Sequence, residues 1–324
     1  MPVQTGAAQE GVAILGIFVA DLAFRAGRLP KIGETIAGSG FKMGPGGKGS
    51  NQAVAAARAG AKVTLITRLG RDAFGDIALK TWRDEGIVAR AAQSDLEATG
   101  GAFIFVNHDT GENAIIVYPG AAGSISVADV DAAADAIRAA KVFVTQLEQP
   151  VAAAQRGLEI GRAAGVTTVF NPAPAEPIPD AIYPLCDYIV PNETEAAALT
   201  GLPVATLADA RRVGDALVAK GARTALITLG ERGALLHNRE RSIEIPAFAA
   251  GPVVETTGAG DAFVGGFAAA IARGADPAEA ARFGSATAGI SVTRPGTAPS
   301  MPRLAEVEAL LAKVNARSSK PMAW

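Results

Sequence analysis

The sequence contains very little cysteine and histidine, and this scarcity excludes several kinds of site. Cys186 is the single cysteine among 324 residues, so an internal disulfide framework and a cysteine-based zinc site are both excluded. Because His108 and His237 are the only histidines, a histidine-ligated metal or a Ser-His-Asp triad is disfavoured. A chain with one thiol fits a reducing compartment.

Charge of either sign and long apolar runs are also scarce. Only 19% of the residues are Asp, Glu, Lys or Arg and the formal net charge is −2, which leaves no basic stripe for nucleic acid or a membrane surface. Residues 11–20, GVAILGIFVA, resemble a signal sequence, but Glu10 and Asp21 flank the run and no basic leader precedes it. We therefore expect a cytoplasmic protein with no nucleic acid or membrane partner, and a buried first strand at this run.

The rest of the chain alternates short β-branched runs with alanine-rich stretches of helical period. This alternation predicts an α/β fold that is doubly wound, with a mostly parallel sheet flanked by helices. The length suits one domain, which we place at residues 11–315 with flexible termini at 1–10 and 316–324. The predicted strands are 12–17, 62–67, 141–147, 166–171, 188–192 and 224–230, and the predicted helices are 50–59, 72–85, 151–164, 193–200 and 207–220.

Two regions break this alternation, at about residues 18–43 and 100–120. Both are strand-like without intervening helices, and the second contains two apolar runs around the turn-rich NHDTGEN, which predicts a hairpin. They predict a small antiparallel β-sheet inserted in the main domain, which either acts as a lid or subunit contact or simply extends the main sheet. The apolar residues that would favour pairing with a second subunit are Phe103, Phe105, Ile115 and Val117.

The stretch GPGGKGSNQA, residues 44–53, has the glycine content of a phosphate-binding loop. A Walker A loop is excluded because Gly49, which has no hydroxyl, follows Lys48. Its spaced glycines satisfy G-x-G-x-x-G with Asp72 about 20 residues on, but the residues before them make a poor central strand, so a dinucleotide site is the weaker alternative. Because glycine has no side chain, the backbone amides of these glycines can approach a polar ligand closely. With added donors from Lys48 and Asn51, they suit a polyhydroxylated sugar.

The second glycine-rich stretch, ETTGAGDAFVGGFAAAIARG at residues 255–274, leads into a helix. Its first backbone amides have no partner within the helix, and with the helix dipole they make an anion site. Asp261 lies in the first turn, where an acidic residue is either a helix cap or a base. A base there would accept the proton of an attacking hydroxyl while the amides hold the transferred phosphoryl group. The amides of this anion hole would be those of Gly258, Ala259 and Gly260.

GPGGKGSNQA and TTGAGDAFVGGF resemble the two signatures of the ribokinase family of carbohydrate kinases. TQLEQP, NPAPA, PNETE, LITLGERG and VTRPGTAPS follow the family's order and spacing, so the resemblance covers residues 11–315. It implies a ribokinase-like fold with a β lid and a homodimer through that lid sheet. It also implies transfer of phosphate from ATP, with Mg²⁺ and a K⁺ site, to the primary hydroxyl of a pentose, with D-ribose as the expected substrate and ribose 5-phosphate as the product.

The resemblance assigns a role to each matching position. Asp261 would be the base, beside the anion hole. The residues that would hold sugar hydroxyls are Asp21, Gly47, Lys48, Asn51, Glu148 and Asp261. Those that would bind the nucleotide are Asn192, Thr228, Leu229, Gly230, Glu231, Arg232, Gly233, Gly260 and Ser285. Glu195 would hold Mg²⁺ through water, and a monovalent cation would lie among Glu255, Thr257, Ser291, Arg294, Gly296 and Ser300.

Two positions depart from the family's pattern, and three interpretations stay open. Val19 stands where family members have an asparagine that helps to bind the sugar, so 2-deoxyribose or a nucleoside becomes an alternative substrate. Glu255 replaces the family's usual aspartate, which puts activation by K⁺ in doubt. Asn192 and Glu195 also fit a helix capping box. An alternative of another class is a non-catalytic sugar-binding sensor, which would have no reason to retain Asp261 beside the anion hole.

Overall fold

A central nine-stranded sheet organises the chain, and a separate four-stranded sheet lies beside it. The computed structural model describes residues 9–318. The strands of both sheets are, in chain order, β1 (Val12–Leu15), β2 (Val19–Ala26), β3 (Gly40–Gly46), β4 (Val63–Gly70), β5 (Val88–Ser94), β6 (Thr99–Asn107), β7 (Asn113–Gly120), β8 (Val142–Thr145), β9 (Thr167–Phe170), β10 (Tyr188–Ile189), β11 (Thr224–Thr228), β12 (Ala234–His237) and β13 (Ser242–Ile245).

The central sheet has the order β13-β12-β11-β10-β9-β8-β1-β4-β5. Every pair from β11 to β5 is parallel, and β12 pairs antiparallel with both β11 and the edge strand β13. All six predicted strands are present in this sheet. The predicted mostly parallel α/β sheet is confirmed.

Helices cover both faces of the central sheet. The α-helices are α1 (Lys48–Arg58), α2 (Ala73–Asp84), α3 (Val127–Ala132), α4 (Ala134–Ala139), α5 (Val151–Ala163), α6 (Glu193–Thr200), α7 (Leu207–Ala219), α8 (Ala259–Ala272), α9 (Pro277–Ser291) and α10 (Leu304–Ser318). The five predicted helices are observed as α1, α2, α5, α6 and α7. The predicted domain boundary at residue 315 falls inside α10, while residues 1–8 and 319–324 of the predicted flexible termini lie outside the described part of the chain.

The two faces of β1 show why the fold is doubly wound. Val12 and Ile14 point into a core shared with α1, α8 and α9, whereas Ala13 and Leu15 point into a core shared with α5 and α7. Side chains alternate between the faces of a strand, so a strand buried on both faces appears in the sequence as a continuous apolar run. Burying each large aliphatic side chain stabilises the fold by about 1.5–3 kcal/mol, which favours helices on both sides.

The smaller sheet, which we call the lid sheet, contains β3, β2, β6 and β7 in that order. The outer pairs β3–β2 and β6–β7 are antiparallel, and the central pair β2–β6 is parallel. The hairpin predicted around NHDTGEN is present between β6 and β7. Phe103, Ile115 and Val117 are exposed as predicted, whereas Phe105 is half-buried. Within residues 9–318 no helix has both the length and the hydropathy that a membrane span requires.

Candidate active site

A cavity of about 140 Å³ lies at the carboxyl ends of the parallel strands. Asn171 follows β9, Val190 follows β10 and Thr228 ends β11, so three neighbouring strands deliver residues to one edge of the sheet. This edge is the usual place for a ligand in an open α/β sheet. The lining residues are Lys48, Asn171, Ala173, Val190, Asn192, Glu195, Thr228, Gly258, Gly260, Asp261 and Val264.

The glycines of GPGGKG allow α1 to begin directly against β1. Gly47 has φ 86°, a conformation that favours glycine, and a Cβ there would lie 2.7 Å from the carbonyl oxygen of Ile17. A Cβ at Gly49 would lie 2.6 Å from the Cα of Gly16. This close approach brings the first turn of α1 into the cavity, which is why Lys48 lines it.

Lys48 lies among three carboxylates at the start of α1. Its backbone N–H donates to Glu148 Oε2 at 2.7 Å. Burial lowers the pKa of the Lys48 ammonium, but the charges of Asp261, Glu148 and Glu195 outweigh burial and hold that pKa above its ordinary value. Burial also raises the pKa of Glu148 to about 7, against the opposing effect of Lys48. The site therefore keeps a charged ammonium beside a carboxyl group that titrates near neutral pH.

Asp261 lies in the first turn of α8 and is held by side chains of α1. Its Oδ2 accepts from Asn51 Nδ2 at 3.0 Å, and its Oδ1 accepts from Gln52 Nε2 at 3.0 Å. The residue is 5% exposed, yet it lines the cavity together with Gly258 and Gly260. The carboxylate therefore faces the cavity from a position fixed by two hydrogen bonds to a different helix.

The start of α8 has the local structure that an anion site requires. Gly258 precedes the helix at φ 84°, and a Cβ at Gly260 would meet nothing within 4 Å. The N–H of Ala259 donates to the carbonyl of Thr256 at 3.1 Å, so this amide is engaged within the turn. Of the three predicted anion-hole residues, Gly258 and Gly260 are the two that line the cavity.

Asp21 lies on β2, where the lid sheet reaches the central sheet. Its Oδ2 accepts from the hydroxyl of Thr297 at 3.2 Å, and its carboxylate occupies the space that a Cβ at Gly46 would need. Burial, with smaller contributions from the charges of Glu255 and Asp261, raises the pKa of Asp21 to about 6 against the opposing hydrogen bond from Thr297. Asp21 is thus electrostatically coupled to Asp261.

Asn192 and Glu195 form the capping box that the sequence left as an alternative. Glu195 N donates to Asn192 Oδ1 at 2.8 Å, and Asn192 N donates to Glu195 Oε2 at 2.9 Å. Both residues also line the cavity. Burial raises the pKa of Glu195, opposed by the Asn192 backbone and by Lys48. The pair therefore caps α6 and faces the site at once.

The predicted nucleotide segment, residues 228–233, forms a tight turn after β11. Thr228 lines the cavity and pairs with Asn192 across a parallel bridge. Gly230, Glu231 and Arg232 form a 3₁₀ turn, and Leu229 N donates to the carbonyl of Gly233 at 2.8 Å. Ser285 lies on α9, outside the residues that line the cavity, and its hydroxyl donates to the carbonyl of Pro246 at 2.7 Å.

The residues predicted for a monovalent cation lie in the loop before α8 and in the segment from the last residue of α9, Ser291, to Ser300. Glu255 Oε2 accepts from the N–H of Gly296 at 2.8 Å, which joins the loop before α8 to the loop after α9. Ser291 and Ser300 donate their hydroxyls to the carbonyls of Ala288 and Thr297. Thr257 lies in the first of these loops, and the Arg294 side chain pairs with Glu306 at the surface.

Three residues of the site were not identified from the sequence. Thr297 donates to Asp21 and to the carbonyl of Pro45, Gln52 donates to Asp261, and Asn171 accepts from Gln52. Asn171 carried a usable signal, because it is a polar residue directly after a buried strand. Gln52 lies in the buried part of α1, where nothing in the sequence marks it as a site residue.

The structure excludes the dinucleotide alternative for GPGGKGSNQA. Gly44 and Gly46 belong to β3 of the lid sheet, so these glycines do not follow the first strand of the parallel sheet. Asp72 is the N-cap of α2 and accepts from the N–H groups of Gly75 and Thr99 at 2.9 and 2.7 Å. Asp72 therefore has a structural role and does not bind a ribose.

A larger cavity, of about 940 Å³, lies at the opposite edge of the sheet. Thr167, Tyr188 and Thr224 line it, and these residues begin β9, β10 and β11. Its lining includes Arg162, which pairs with Asp187 at 2.7 Å. We take the smaller cavity as the candidate active site, because a lysine, buried carboxylates and a glycine-rich helix start meet there.

Comparisons with known proteins show the family to which the chain belongs. Residues 9–304 match the family model of the pfkB family carbohydrate kinases. A deoxyribokinase from Salmonella typhi is 38% identical over 295 residues, covering 90% of this chain and 96% of that relative. A ribokinase from Haemophilus influenzae is also 38% identical over 295 residues, covering 91% of this chain and 96% of that relative. A ribokinase structure from Arabidopsis thaliana, complexed with ribose and ATP, has a TM-score of 0.87 at 31% identity, covering 94% of this chain and 99% of that chain.

Fold, site and relatives together define a sugar kinase, an enzyme that transfers a phosphoryl group to a sugar. The chain belongs to the pfkB family of carbohydrate kinases. Within that family it is a ribokinase-type kinase, since relatives that match most of its length are ribokinases and deoxyribokinases.

Proposed function

We propose that this kinase transfers the γ-phosphoryl group of ATP to the primary hydroxyl of D-ribose, which gives ribose 5-phosphate. The observation that carries the proposal is the Asp261 carboxylate, which shares one cavity with Lys48 and the glycine-rich start of α8. The Arabidopsis ribokinase with ribose and ATP supports both ligands for this chain.

The proposed reaction is an in-line phosphoryl transfer. Asp261 accepts the proton of the sugar's primary hydroxyl while the oxygen of that hydroxyl bonds to the γ-phosphorus. The bond between the γ-phosphorus and the β–γ bridging oxygen breaks, and ADP leaves. The amides of Gly258 and Gly260 at the start of α8 would stabilise the transferred group, since a helix N-terminus favours an anion, whereas the Ala259 amide is engaged with the Thr256 carbonyl.

The sugar would be held by Asp21, Gly47, Lys48, Asn51 and Glu148. Asn51 supports this role, because its Oδ1 is buried without a partner while its Nδ2 donates to Asp261. A buried acceptor without a partner is costly, and a sugar hydroxyl would satisfy it. Asn51 would then connect the substrate to the base.

The nucleotide would lie along Asn192 and the turn at residues 228–233, with Ser285 near the adenosine. Glu195 suits Mg²⁺ held through water, because it is a buried carboxylate that lines the cavity beside Lys48. Bound Mg²⁺ neutralises phosphate charge. A K⁺ ion would be held by Glu255 and by carbonyl oxygens near Gly296, Ser291 and Ser300, since the serine hydroxyls already donate to carbonyls.

Sugar binding is expected to weaken as the pH falls. Asp21 and Glu148 have pKa values raised to about 6 and about 7, so both gain a proton between about pH 8 and pH 5 and lose the charged acceptor that hydroxyls prefer. The sugar Kd, measured calorimetrically without ATP, should rise on the order of tenfold over that range. Asp21→Asn should remove the part of the change centred near pH 6. A Kd independent of pH in the wild type would contradict these sugar-binding roles.

A second candidate substrate is 2-deoxyribose. Val19 is 3% exposed and lies two residues before Asp21 on β2, so both side chains lie on the same face of the strand. An apolar side chain there offers no hydrogen-bond partner to a sugar hydroxyl. The similarity to the Salmonella deoxyribokinase also supports 2-deoxyribose as a substrate.

The test is kcat/KM for ribose, 2-deoxyribose and adenosine, measured side by side. Val19→Asn should raise the ribose-to-deoxyribose ratio by about 3- to 10-fold, the value of one hydrogen bond. An unchanged ratio would remove Val19 from substrate discrimination. Turnover of adenosine alone would instead identify a nucleoside kinase.

The lid sheet is proposed to close the site and to pair two subunits. Ile116 is 70% exposed and Tyr118 is 61% exposed on β7, and the rings of Phe24 on β2 and Phe41 on β3 form a tilted pair with their centroids 4.8 Å apart. Such an apolar surface favours a homodimer in the cytoplasm. Sedimentation should give a dimer, and Ile116→Asp should give a monomer; a monomeric wild type would contradict the proposal.

A further inference from the structure

A chain of buried amide side chains connects the core of the sheet to Asp261. Gln146 Nε2 donates to Gln52 Oε1, and Gln52 Nε2 donates to Asn171 Oδ1 at 3.1 Å and to Asp261 Oδ1 at 3.0 Å. Asn171 Nδ2 donates to the carbonyl of Val190 at 2.8 Å. Gln52 and Gln146 are 0% exposed and Asn171 is 7% exposed, so solvent does not compete for these bonds.

The direction of every bond in this chain is set at one end. The Val190 carbonyl can only accept, so Asn171 must turn its NH₂ toward it and its oxygen toward Gln52. Gln52 must then present its NH₂ to Asn171, and the second hydrogen of that NH₂ points at Asp261. Its oxygen faces the NH₂ of Gln146. The Val190 carbonyl thus fixes the Gln52 NH₂ as the donor to Oδ1 of Asp261.

We infer that Gln52 is a positioning residue that orients the Asp261 carboxylate for proton transfer. The inference rests on the proposed role of Asp261 as the base. Gln52 holds Oδ1 and Asn51 holds Oδ2, so the carboxylate cannot rotate without losing a hydrogen bond. Proton transfer requires this orientation, because small misplacements of a reacting group reduce the rate steeply.

The test is a double-mutant cycle on kcat. Gln52→Met keeps the length of the side chain and removes its donor, and it is expected to lower kcat on the order of 10- to 100-fold with little change in the sugar KM. In the Asp261→Ala background the same substitution should cause no further loss. Equal losses in both backgrounds, or an unchanged kcat in the single variant, would overturn the inference.

Two further variants keep the test decisive. Gln149→Met is the matched control, since Gln149 is 3% exposed and donates to Thr145 and to the Gln146 carbonyl, away from Asp261. It should leave kcat near the wild-type value. If Gln52→Met does not fold, Gln146→Met is the deciding variant, because it removes the donor to the Gln52 oxygen. It should lower kcat by a smaller factor than Gln52→Met. This decrease should also be absent in the Asp261→Ala background. An unchanged kcat in that variant would overturn the inference. A wild-type kcat in Asp261→Ala alone would instead refute the proposed base.

Discussion

Asp261→Asn is expected to lower kcat by about 10²–10⁴-fold, the usual contribution of general-base catalysis. An amide cannot accept the proton of the sugar hydroxyl, while the side chain keeps its size and its place at the start of α8. The sugar Kd should change little, because Asp21, Lys48 and Glu148 still hold the hydroxyls. The measurement is steady-state turnover with ribose and ATP, with the Kd taken by calorimetry.

The control for Asp261→Asn is the melting temperature. Both carboxylate oxygens accept N–H donors, so the amide places one NH₂ against another at Gln52 or Asn51, which costs about 1–3 kcal/mol of stability. The variant should therefore melt earlier yet remain folded at the assay temperature. Turnover near the wild-type value in a folded variant would show that Asp261 is not the base.

Gly260→Ala is expected to lower kcat by about 10²-fold without loss of stability. Gly260 lines the cavity, and a Cβ there would enter space that is open within 4 Å. In the proposed complex the methyl group would crowd the transferred phosphoryl group and disturb the anion hole. Loss of one hydrogen-bond donor from such a site lowers kcat by about 10²–10³-fold. Alanine is the better helix former by about 0.5–1 kcal/mol, so the melting temperature should hold or rise.

Gly49→Ala provides the contrasting variant for Gly260→Ala. Its Cβ would lie 2.6 Å from the Cα of Gly16 and 2.8 Å from the backbone N of Ile17, and neither backbone atom can move aside. Overpacking of this kind costs about 1–3 kcal/mol, so Gly49→Ala should lose both stability and activity. A Gly260→Ala enzyme with full activity would remove the anion hole from the proposed mechanism.

The sequence predicted the central parallel strands, most of which are buried on both faces, and also the lid hairpin, because NHDTGEN is a local turn signal. β1, β8 and β9 are short apolar runs in the centre of the sheet, and their length and β-branched residues favour strands over buried helices. β5 was not predicted, because it is an edge strand whose residues are mostly half-buried or exposed. The antiparallel β12 and β13 were missed as well, since their pairing depends on the turn between them.

The residues of the candidate site also differ in whether the sequence alone could identify them. Asp261, Lys48 and Asn51 could be proposed from the sequence, because they stand in glycine-rich stretches whose chemistry is local. Gln52 and Thr297 were missed, because their partners Asp261 and Asp21 lie 209 and 276 residues away along the chain. Only the folded chain brings such pairs together.

The position of phosphorylation tests the central claim most directly. The enzyme would be incubated with ATP, Mg²⁺ and ¹³C-labelled ribose, with 5-deoxyribose as the matched sugar that lacks the primary hydroxyl, and the products identified by NMR. The account predicts ribose 5-phosphate from ribose and no phosphorylated product from 5-deoxyribose. A phosphate on any other hydroxyl of ribose, or turnover of 5-deoxyribose, would contradict it.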